Sequence, residues 1–285
     1  MSSRKITPRE RIFSSIGQYY AANSSVHRLD ARTKVLLAIL YIVVTFLCKS
    51  VYAFALMLLS GVFVILLAKI PARTILKALK PIFFITFLTA FINLFWTTGE
   101  TALVEWWIIK IYPEGIYNAA FMATRIVVLV VGTSVFLTYT TTPIQLTDAI
   151  ERLLYPLKKI KVPVHEFAMM MSIALRFVPT LVEETERIIA AQKARGADFE
   201  SGNLIKRAKA LIPILIPLFV SSFRRADELA TAMECRCYHG GEGRTKMTIT
   251  HLRFADFAAL FFILLFGTAI VFINIYAANY GYSLK

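Results

Sequence analysis

Two arginines, Arg195 and Arg236, stand 41 residues apart in the same local setting. Each is held between two small residues: Ala194 and Gly196 around the first, Cys235 and Cys237 around the second. A guanidinium presents five N–H donors in a rigid fork, which suits a carboxylate or backbone carbonyls in the groove of a partner. Small neighbours would let the partner's surface approach closely. The pattern therefore indicates a docking contact that is made twice.

The residues before the first arginine predict the helix that would position it. Apolar side chains recur near the helical period over 181–195, with three acids near the start and cations near the end. That distribution of charge suits the helix macrodipole. Gly196 stands where a C-terminal capping glycine belongs. We therefore expect Arg195 to project from the last turn into solvent.

The second arginine has the same surroundings. Two acids at 227–228 precede a helical pattern, and the glycine pair 240–241 is expected to stop that helix. An offset of 41 residues aligns Arg236 with Arg195 and Asp227 with Glu186. A docking element repeated in one chain predicts a partner that is a two-fold or pseudo-two-fold dimer. The alternative, two ordinary cationic helix ends, stays open.

Composition indicates that these helices belong to a membrane protein. The 285 residues are 57% hydrophobic and 18% charged, with a mean hydropathy of +0.62, whereas soluble domains have about 25% charged residues. The net charge of +14 is typical of basic cytoplasmic loops that face anionic lipid, before it indicates nucleic acid. Three cysteines make no disulfide framework, and the polar N-terminus predicts no cleavable signal peptide.

The apolar runs predict an all-α membrane protein with about five transmembrane helices. These lie near 35–48, 52–70, 79–95, 116–137 and 254–277. The run 211–220 is too short to span and indicates a buried or interfacial helix. The run 167–175 could pack under the membrane or dip into it, so seven spans are the alternative. The chain divides into an N-terminal segment 1–34, transmembrane helices 1–4 over 35–140, a cytoplasmic module of long amphipathic coupling helices over 141–253, and a last span with the C-terminus over 254–285.

Charges in the loops predict the orientation. Residues 1–34 hold seven Lys/Arg against two acids, and the loop 69–80 holds four Lys/Arg and no acid. The loop 96–115 holds three acids against one lysine. By the positive-inside rule the N-terminus and the 69–80 loop are cytoplasmic and the 96–115 loop is outside.

One further residue is a candidate by position alone. Arg125 lies ten residues into the fourth predicted span, and an intramembrane arginine is a functional candidate by default. Structural pairing or snorkelling is the alternative. The chain shows no H-E-x-x-H, no G-x-S-x-G and no paired carboxylates in a span, so we expect no catalytic residue. Cys235, Cys237 and His239 lack zinc spacing and a fourth ligand, so we expect no metal site.

The order of three segments resembles one family, the T component of energy-coupling factor (ECF) transporters, a class of ABC-type vitamin and metal importers. SVHRLDARTKVLL at 25–37 resembles the start of the family's first span. RFVPTLVEETERIIAAQKARG at 176–196 resembles its strongest signature, and DELATAMECRCYHGGEGRT at 227–245 resembles the second. Cys235 replaces the family's usual alanine in that second motif.

The resemblance implies a scaffold and not an enzyme. The motifs Ala194-Arg195-Gly196 and Cys235-Arg236-Cys237 would insert into grooves on two ABC ATPase subunits. The coupling helices would pass ATP-driven motion to a small membrane S component that binds a micronutrient such as a vitamin. The chain itself would bind no cofactor and no nucleic acid, and it would lie in the lipid bilayer of a bacterial cytoplasmic membrane as a multi-pass protein with a cytoplasmic N-terminus.

Two other functions stay open. A conventional ABC importer permease usually docks one coupling helix per subunit as a dimer, whereas this chain carries both elements itself. A stand-alone transporter or channel would need polar or broken spans and often internal repeats in the membrane, but here the repeat lies in the predicted cytoplasmic module. The number of chains per ATPase pair would separate the first of these from a T component.

Overall fold

The computed structural model describes residues 20, 22, 24–96, 104–106, 109–199, 203–240 and 251–279. These residues form eight α-helices, whose bounds are α1 Ala31–Leu47, α2 Val51–Ala68, α3 Ala72–Trp96, α4 Pro113–Thr133, α5 Pro143–Leu154, α6 Val164–Ala194, α7 Leu204–Cys235 and α8 Phe254–Asn279. A π-helical segment, Ser134–Tyr139, continues α4, and a 3₁₀ segment, Tyr155–Ile160, continues α5. Two three-residue strands, β1 Val104–Trp106 and β2 Ile109–Ile111, pair antiparallel.

The chain separates into two compact units. Residues 17–149 and 250–285 form the first, the transmembrane unit, and residues 150–249 belong to the second, the helical unit that carries α6 and α7. The predicted cytoplasmic module, 141–253, starts two residues before α5, the helix in which the chain passes from one unit to the other.

Four stretches of the described residues are helical, long enough and apolar enough to cross a membrane: Val51–Ala68, Ala72–Trp96, Gly115–Tyr139 and Phe254–Ala277. They confirm the all-α membrane class. The first predicted span corresponds to α1, which has 17 residues, the lower limit of about 17–25 for a spanning helix. The apolar runs 167–175 and 211–220 lie inside α6 and α7, which do not qualify as spans.

The helix α1 forms the centre of the transmembrane unit. It contacts α4, α8 and the π-helical segment, and Leu37, Ala38, Tyr41 and Val44 on it are all less than a tenth exposed. By contrast, no residue of α3 is buried, and that helix packs along α4. The helix α1 therefore packs inside this unit, whereas α3 lies at its surface.

Polar contacts join the start of α1 to distant parts of the chain. The Asp256 carboxylate caps α8 by accepting from the Arg253 N–H at 2.7 Å, and it also accepts from the Asp30 N–H at 2.9 Å. Lys34 is 2% exposed and donates to the Thr140 carbonyl at 2.7 Å. Buried charge is tolerated when it is hydrogen-bonded in this way. The contacts therefore hold the first α1 turn, the start of α8 and the end of the π-helical segment together.

Close packing of α1 against α4 depends on Gly132. The Tyr41 ring lies against this glycine, and its hydroxyl donates to the Val128 carbonyl at 3.5 Å. A β-carbon at residue 132 would overlap three atoms of the ring. A glycine is therefore required at residue 132 because the Tyr41 side chain approaches so closely, and not because the backbone there has an unusual conformation.

We expect Gly132→Ala to destabilise the transmembrane unit by about 1–3 kcal/mol, the usual effect of overpacking a core. Gly61→Ala is the matched control, because its β-carbon would approach only the Tyr41 hydroxyl, at 3.4 Å. Size-exclusion chromatography of the detergent-solubilised chain after heating measures the Tm of both variants. Equal Tm values for the two would contradict the packing described here.

Candidate docking surface

The helical unit consists mainly of two long helices, which contact each other within their C-terminal halves. The helices α6 and α7 have 31 and 32 residues, so each is about 47 Å long at 1.5 Å per residue. The Arg225 side chain on α7 donates to the Glu184 carboxylate on α6 at 2.8 Å. This contact joins the two helices that carry the candidate arginines.

The end of α6 is a Schellman motif, in which a residue in the left-handed conformation reverses the chain after the helix. The Gly196 N–H donates to the Lys193 carbonyl at 3.0 Å, and the Ala197 N–H donates to the Gln192 carbonyl at 3.0 Å. Gly196 has φ +86°, which glycine adopts without a Cβ penalty. The prediction of a capping glycine at this position is confirmed, and Arg195 is the exposed C-cap residue.

The end of α7 has the same motif, but the predicted stop at the glycine pair 240–241 is wrong. The Cys237 N–H donates to the Glu234 carbonyl at 2.8 Å, and the Tyr238 N–H donates to the Met233 carbonyl at 3.0 Å. The left-handed residue is Cys237, with φ +57°. Gly240 lies three residues further on and Gly241 lies outside the described residues. The helix reverses at a cysteine although this conformation costs an L-residue about 1–2 kcal/mol.

The two helix ends are therefore structurally equivalent. Arg195 and Arg236 each lie directly before the left-handed residue, and both motifs make the same pair of backbone hydrogen bonds. The six motif residues are all exposed: Ala194, Arg195, Gly196, Cys235, Arg236 and Cys237. Each cation lies at the negative end of a helix macrodipole, which favours it there.

The offset that aligns the arginines also relates the two partners of the ion pair. Glu184 and Arg225 are separated by 41 residues, as are Arg195 and Arg236. Equivalent positions of α6 and α7 thus meet, which is what a local pseudo-two-fold relation between two helices produces. Each arginine lies 11 residues beyond this contact, or about 16 Å along its helix.

An apolar groove runs along α7 before the second motif, and it overlaps the apolar run 211–220 that is predicted to be a buried or interfacial helix. It has a volume of about 750 Å³ and its apolar lining consists of Leu215, Ile216, Phe219, Val220 and Phe223. These side chains are 54% to 66% exposed within the chain, so they form a candidate surface for a partner. The spacing of 212, 215, 216, 219 and 223 along the helix is the sequence signal that could have indicated it.

Arg125 lies at the junction between α1 and α2. Its Nη2 donates to the Cys48 carbonyl at 3.0 Å, and its guanidinium lies 4.6 Å from the centroid of the Phe121 ring. Cys48 is the C-cap residue of α1, so the arginine satisfies a carbonyl that has no partner within the helix.

Asn274 of α8 completes the same junction. Its Nδ2 donates to the Leu47 carbonyl at 2.7 Å, and its Oδ1 accepts from the Ser50 N–H at 3.1 Å. Polar backbone groups at a break between two apolar helices need such partners, because hydrocarbon offers none. These contacts favour the structural interpretation of Arg125, while a functional role for this arginine stays a prediction.

We expect Arg125→Leu to lower the stability of the transmembrane unit by about 1–2 kcal/mol, the upper range for polar contacts between membrane helices. Uptake of the transported substrate by cells should fall only in proportion to the amount of folded protein. The Arg125→Lys variant should lose less stability, because lysine keeps a hydrogen-bond donor. Thermal denaturation of the purified chain and uptake by cells expressing it measure the two quantities. Loss of uptake at unchanged stability would show that Arg125 acts in transport itself.

Known proteins are similar to this chain over most of its length. The model of the CbiQ family, described as a cobalt transport protein, matches residues 22–247. The energy-coupling factor transporter transmembrane protein EcfT of Clostridium kluyveri is 53% identical over 246 residues, which cover 86% of this chain and 91% of the relative. The EcfT proteins of Ruminiclostridium cellulolyticum and Bacillus subtilis are 52% and 48% identical, covering 91% and 81% of this chain and 94% and 87% of their own lengths.

The family match extends from the N-terminal stretch before α1 through α6, α7 and both arginine motifs. It therefore includes the central helix of the transmembrane unit as well as the two equivalent helix ends of the helical unit. The chain belongs to the CbiQ family, and it is the transmembrane T component of an energy-coupling factor transporter.

Proposed function

We propose that the chain docks two ABC ATPase subunits through Arg195 and Arg236 and passes their ATP-driven motion to a substrate-binding S component. The observation that carries this proposal is the equivalence of the two helix ends, which present an exposed arginine with the same capping hydrogen bonds. One chain thus offers two like contacts, and a dimer of nucleotide-binding subunits offers two like grooves.

The chemistry of each contact follows from the C-cap position. At the end of a helix the guanidinium projects beyond the last turn, and small residues on either side leave room for the walls of a groove. Its five donors would bind carboxylates or backbone carbonyls of the ATPase. The ATPases hydrolyse ATP, and the T component acts as a non-catalytic subunit that binds no cofactor of its own.

The S component would bind the apolar groove of α7. Its five apolar side chains, Leu215 to Phe223, suit the surface of a small membrane protein, which is itself largely apolar. The groove and the second arginine motif lie on one continuous helix. A displacement of that helix by the ATPases would therefore move the S component as well.

The transported substrate would be selected by the S component and not by this chain. The description of the matching family names cobalt as the transported ion, whereas the names of the relatives mention energy coupling and no substrate. That difference supports a scaffold whose cargo depends on its partner, and we propose a vitamin or similar micronutrient as the cargo.

The orientation we propose places the N-terminus and the helical unit in the cytoplasm of a bacterium, where ATP is available. The seven Lys/Arg of residues 1–34 and the four of the 69–80 loop support this orientation by the positive-inside rule. The acidic loop 96–115 would then lie outside the cytoplasmic membrane.

Purification of the tagged chain from its native membranes tests the proposal. We expect two ATPase subunits and one S component for each copy of the chain, measured by native mass spectrometry. Two copies of the chain per ATPase pair would instead identify a conventional importer permease. Absence of ATPases, even after crosslinking before solubilisation, would exclude both and favour a stand-alone transporter or channel.

A further inference from the structure

We infer that the transmembrane unit contains a binding site for an anionic phospholipid, in an apolar groove between α2 and α8. The site is separate from the helices of the docking surface and does not depend on the function proposed for them. One set of observations supports the part of the site that would hold an acyl chain, and another supports the part that would bind the headgroup.

The groove has the character of a site for hydrocarbon. Its volume is about 460 Å³, within the ~300–1,000 Å³ range of small-molecule sites. The floor consists of Leu37, Tyr41 and Phe136, which are 4% to 6% exposed, whereas Phe63 and Phe262 on the walls are more than half exposed. The groove is therefore closed towards α1 and open on the side where α2 and α8 face the bilayer.

Two hydroxyl groups that line the groove already have partners. Ser60 on α2 donates its hydroxyl hydrogen to the Met57 carbonyl at 2.7 Å, and the Tyr41 hydroxyl donates to Val128 at 3.5 Å. Neither group requires a hydrogen bond from a ligand. An acyl chain fits such a lining, because it needs only apolar contact and is the solvent that surrounds spanning helices.

Two arginines stand at one end of this groove. Arg28 precedes the lining residue Leu29, and Arg253 lies two residues before the lining residue Ala255. Both arginines are exposed. The backbone segments that carry them are joined where the Asp30 N–H donates to the Asp256 carboxylate at 2.9 Å. Two cations are thus held beside the same end of one hydrocarbon groove.

This combination matches the chemistry of an anionic glycerophospholipid. Its phosphate would bind the guanidinium groups, which pair with phosphate through parallel N–H donors, while one acyl chain would occupy the groove. Anionic lipids also accumulate at basic surfaces of membrane proteins. A zwitterionic lipid would fill the groove equally well but would gain less from the two arginines.

Photolabelling of the purified full-length chain tests this inference. The chain is reconstituted into phosphatidylcholine nanodiscs with a trace of phosphatidylglycerol that carries a diazirine near the end of one acyl chain. We expect mass spectrometry to find the label on groove residues such as Phe63 and Phe266. Unlabelled phosphatidylglycerol should compete for this labelling, whereas added phosphatidylcholine and glycerol phosphate should not.

Variants at the two parts of the site make the test specific. Arg28→Gln with Arg253→Gln should weaken competition by phosphatidylglycerol roughly fivefold per arginine, the effect of one basic side chain near an anionic surface. Arg73→Gln with Lys77→Gln is the matched control, since it removes two exposed charges from α3, which does not line the groove. Ala259→Phe should block labelling by filling the groove.

Three outcomes would overturn the inference. The first is labelling spread evenly over the outward faces of the helices. The second is equal competition by phosphatidylcholine and phosphatidylglycerol. The third is an equal loss of competition in the arginine pair and in the α3 control pair. Because the arginine variants change only exposed side chains, their Tm should equal that of the unaltered chain.

Discussion

Arg195→Glu combined with Arg236→Glu is expected to remove both ATPase subunits from the purified complex. Each exposed guanidinium lies at a helix C-cap, where it projects towards a partner. Reversal replaces a favourable contact by repulsion, and breaking a desolvated, hydrogen-bonded charge pair costs about 2–5 kcal/mol at a protein interface. Co-purification of the ATPases with the tagged chain, quantified by mass spectrometry, measures the effect.

The control for this experiment reverses two other cations on the same helices. Arg187→Glu with Arg207→Glu makes the same change of net charge at exposed positions of α6 and α7 that lie away from their C-terminal ends. We expect this variant to retain both ATPases. Full retention by the C-cap variant as well would sink the docking hypothesis.

The two single variants test whether the helix ends are also functionally equivalent. Each reversal should weaken attachment of the ATPase pair, because a dimer held at two points loses the effective concentration that the first contact provides for the second. A single variant that leaves attachment unchanged would assign docking to the other helix end alone, and the pseudo-two-fold interpretation would then be wrong.

Phe219→Asp combined with Phe223→Asp is expected to release the S component while both ATPases stay attached. The two rings are 66% and 63% exposed and lie on the apolar groove of α7. Buried aromatic anchors commonly contribute 2 kcal/mol or more each to an interface, and a carboxylate in their place would have to be desolvated. The amount of S component that co-purifies with the tagged chain checks this.

The conservative pair Phe219→Leu with Phe223→Leu is the matched control, since it keeps an apolar surface of similar shape. It should retain most of the S component. Loss of the ATPases together with the S component in the aspartate variant would show that α7 has unfolded. Retention of the S component in a folded aspartate variant would assign its binding to another surface.

The separation of these two effects follows from the geometry of α7. The apolar groove ends at Asp227 and the second motif begins at Cys235, about 12 Å further along the helix. One helix thus presents an apolar surface and a cationic end to two different partners. Loss of the ATPases in the arginine variant and loss of only the S component in the phenylalanine variant would establish that α7 connects these two partners.

Local features of the chain could be predicted where the physical cause is itself local. Apolar runs of about 20 residues indicate membrane helices, because the bilayer requires that length. The turn after Arg195 was predictable because glycine readily adopts the left-handed conformation. Helix bounds were less accurate. The third span was predicted at 79–95, whereas α3 starts at Ala72, since backbone hydrogen bonds continue through the basic residues before the apolar run.

The turn after Arg236 could not be found in the same way. The nearby glycine pair 240–241 is the stronger local signal, yet the chain reverses at Cys237. A cysteine in the left-handed conformation is stable only because the two capping hydrogen bonds and the surrounding helix end compensate its cost. Similarly, hydropathy alone indicated an intramembrane charge at Arg125 but could not identify the Cys48 carbonyl, 77 residues away, as its partner.

The sequence by itself thus determined the membrane class, the long helices and the two exposed arginines, since composition, periodicity and local charge cause all three. The tertiary structure decided which equivalent positions meet, through Glu184 and Arg225. It also decided which segments meet at the end of the apolar groove between α2 and α8, through Asp30 and Asp256. Those contacts join residues 41 and 226 positions apart. Their energies depend on distances in space, which no local pattern in the chain specifies.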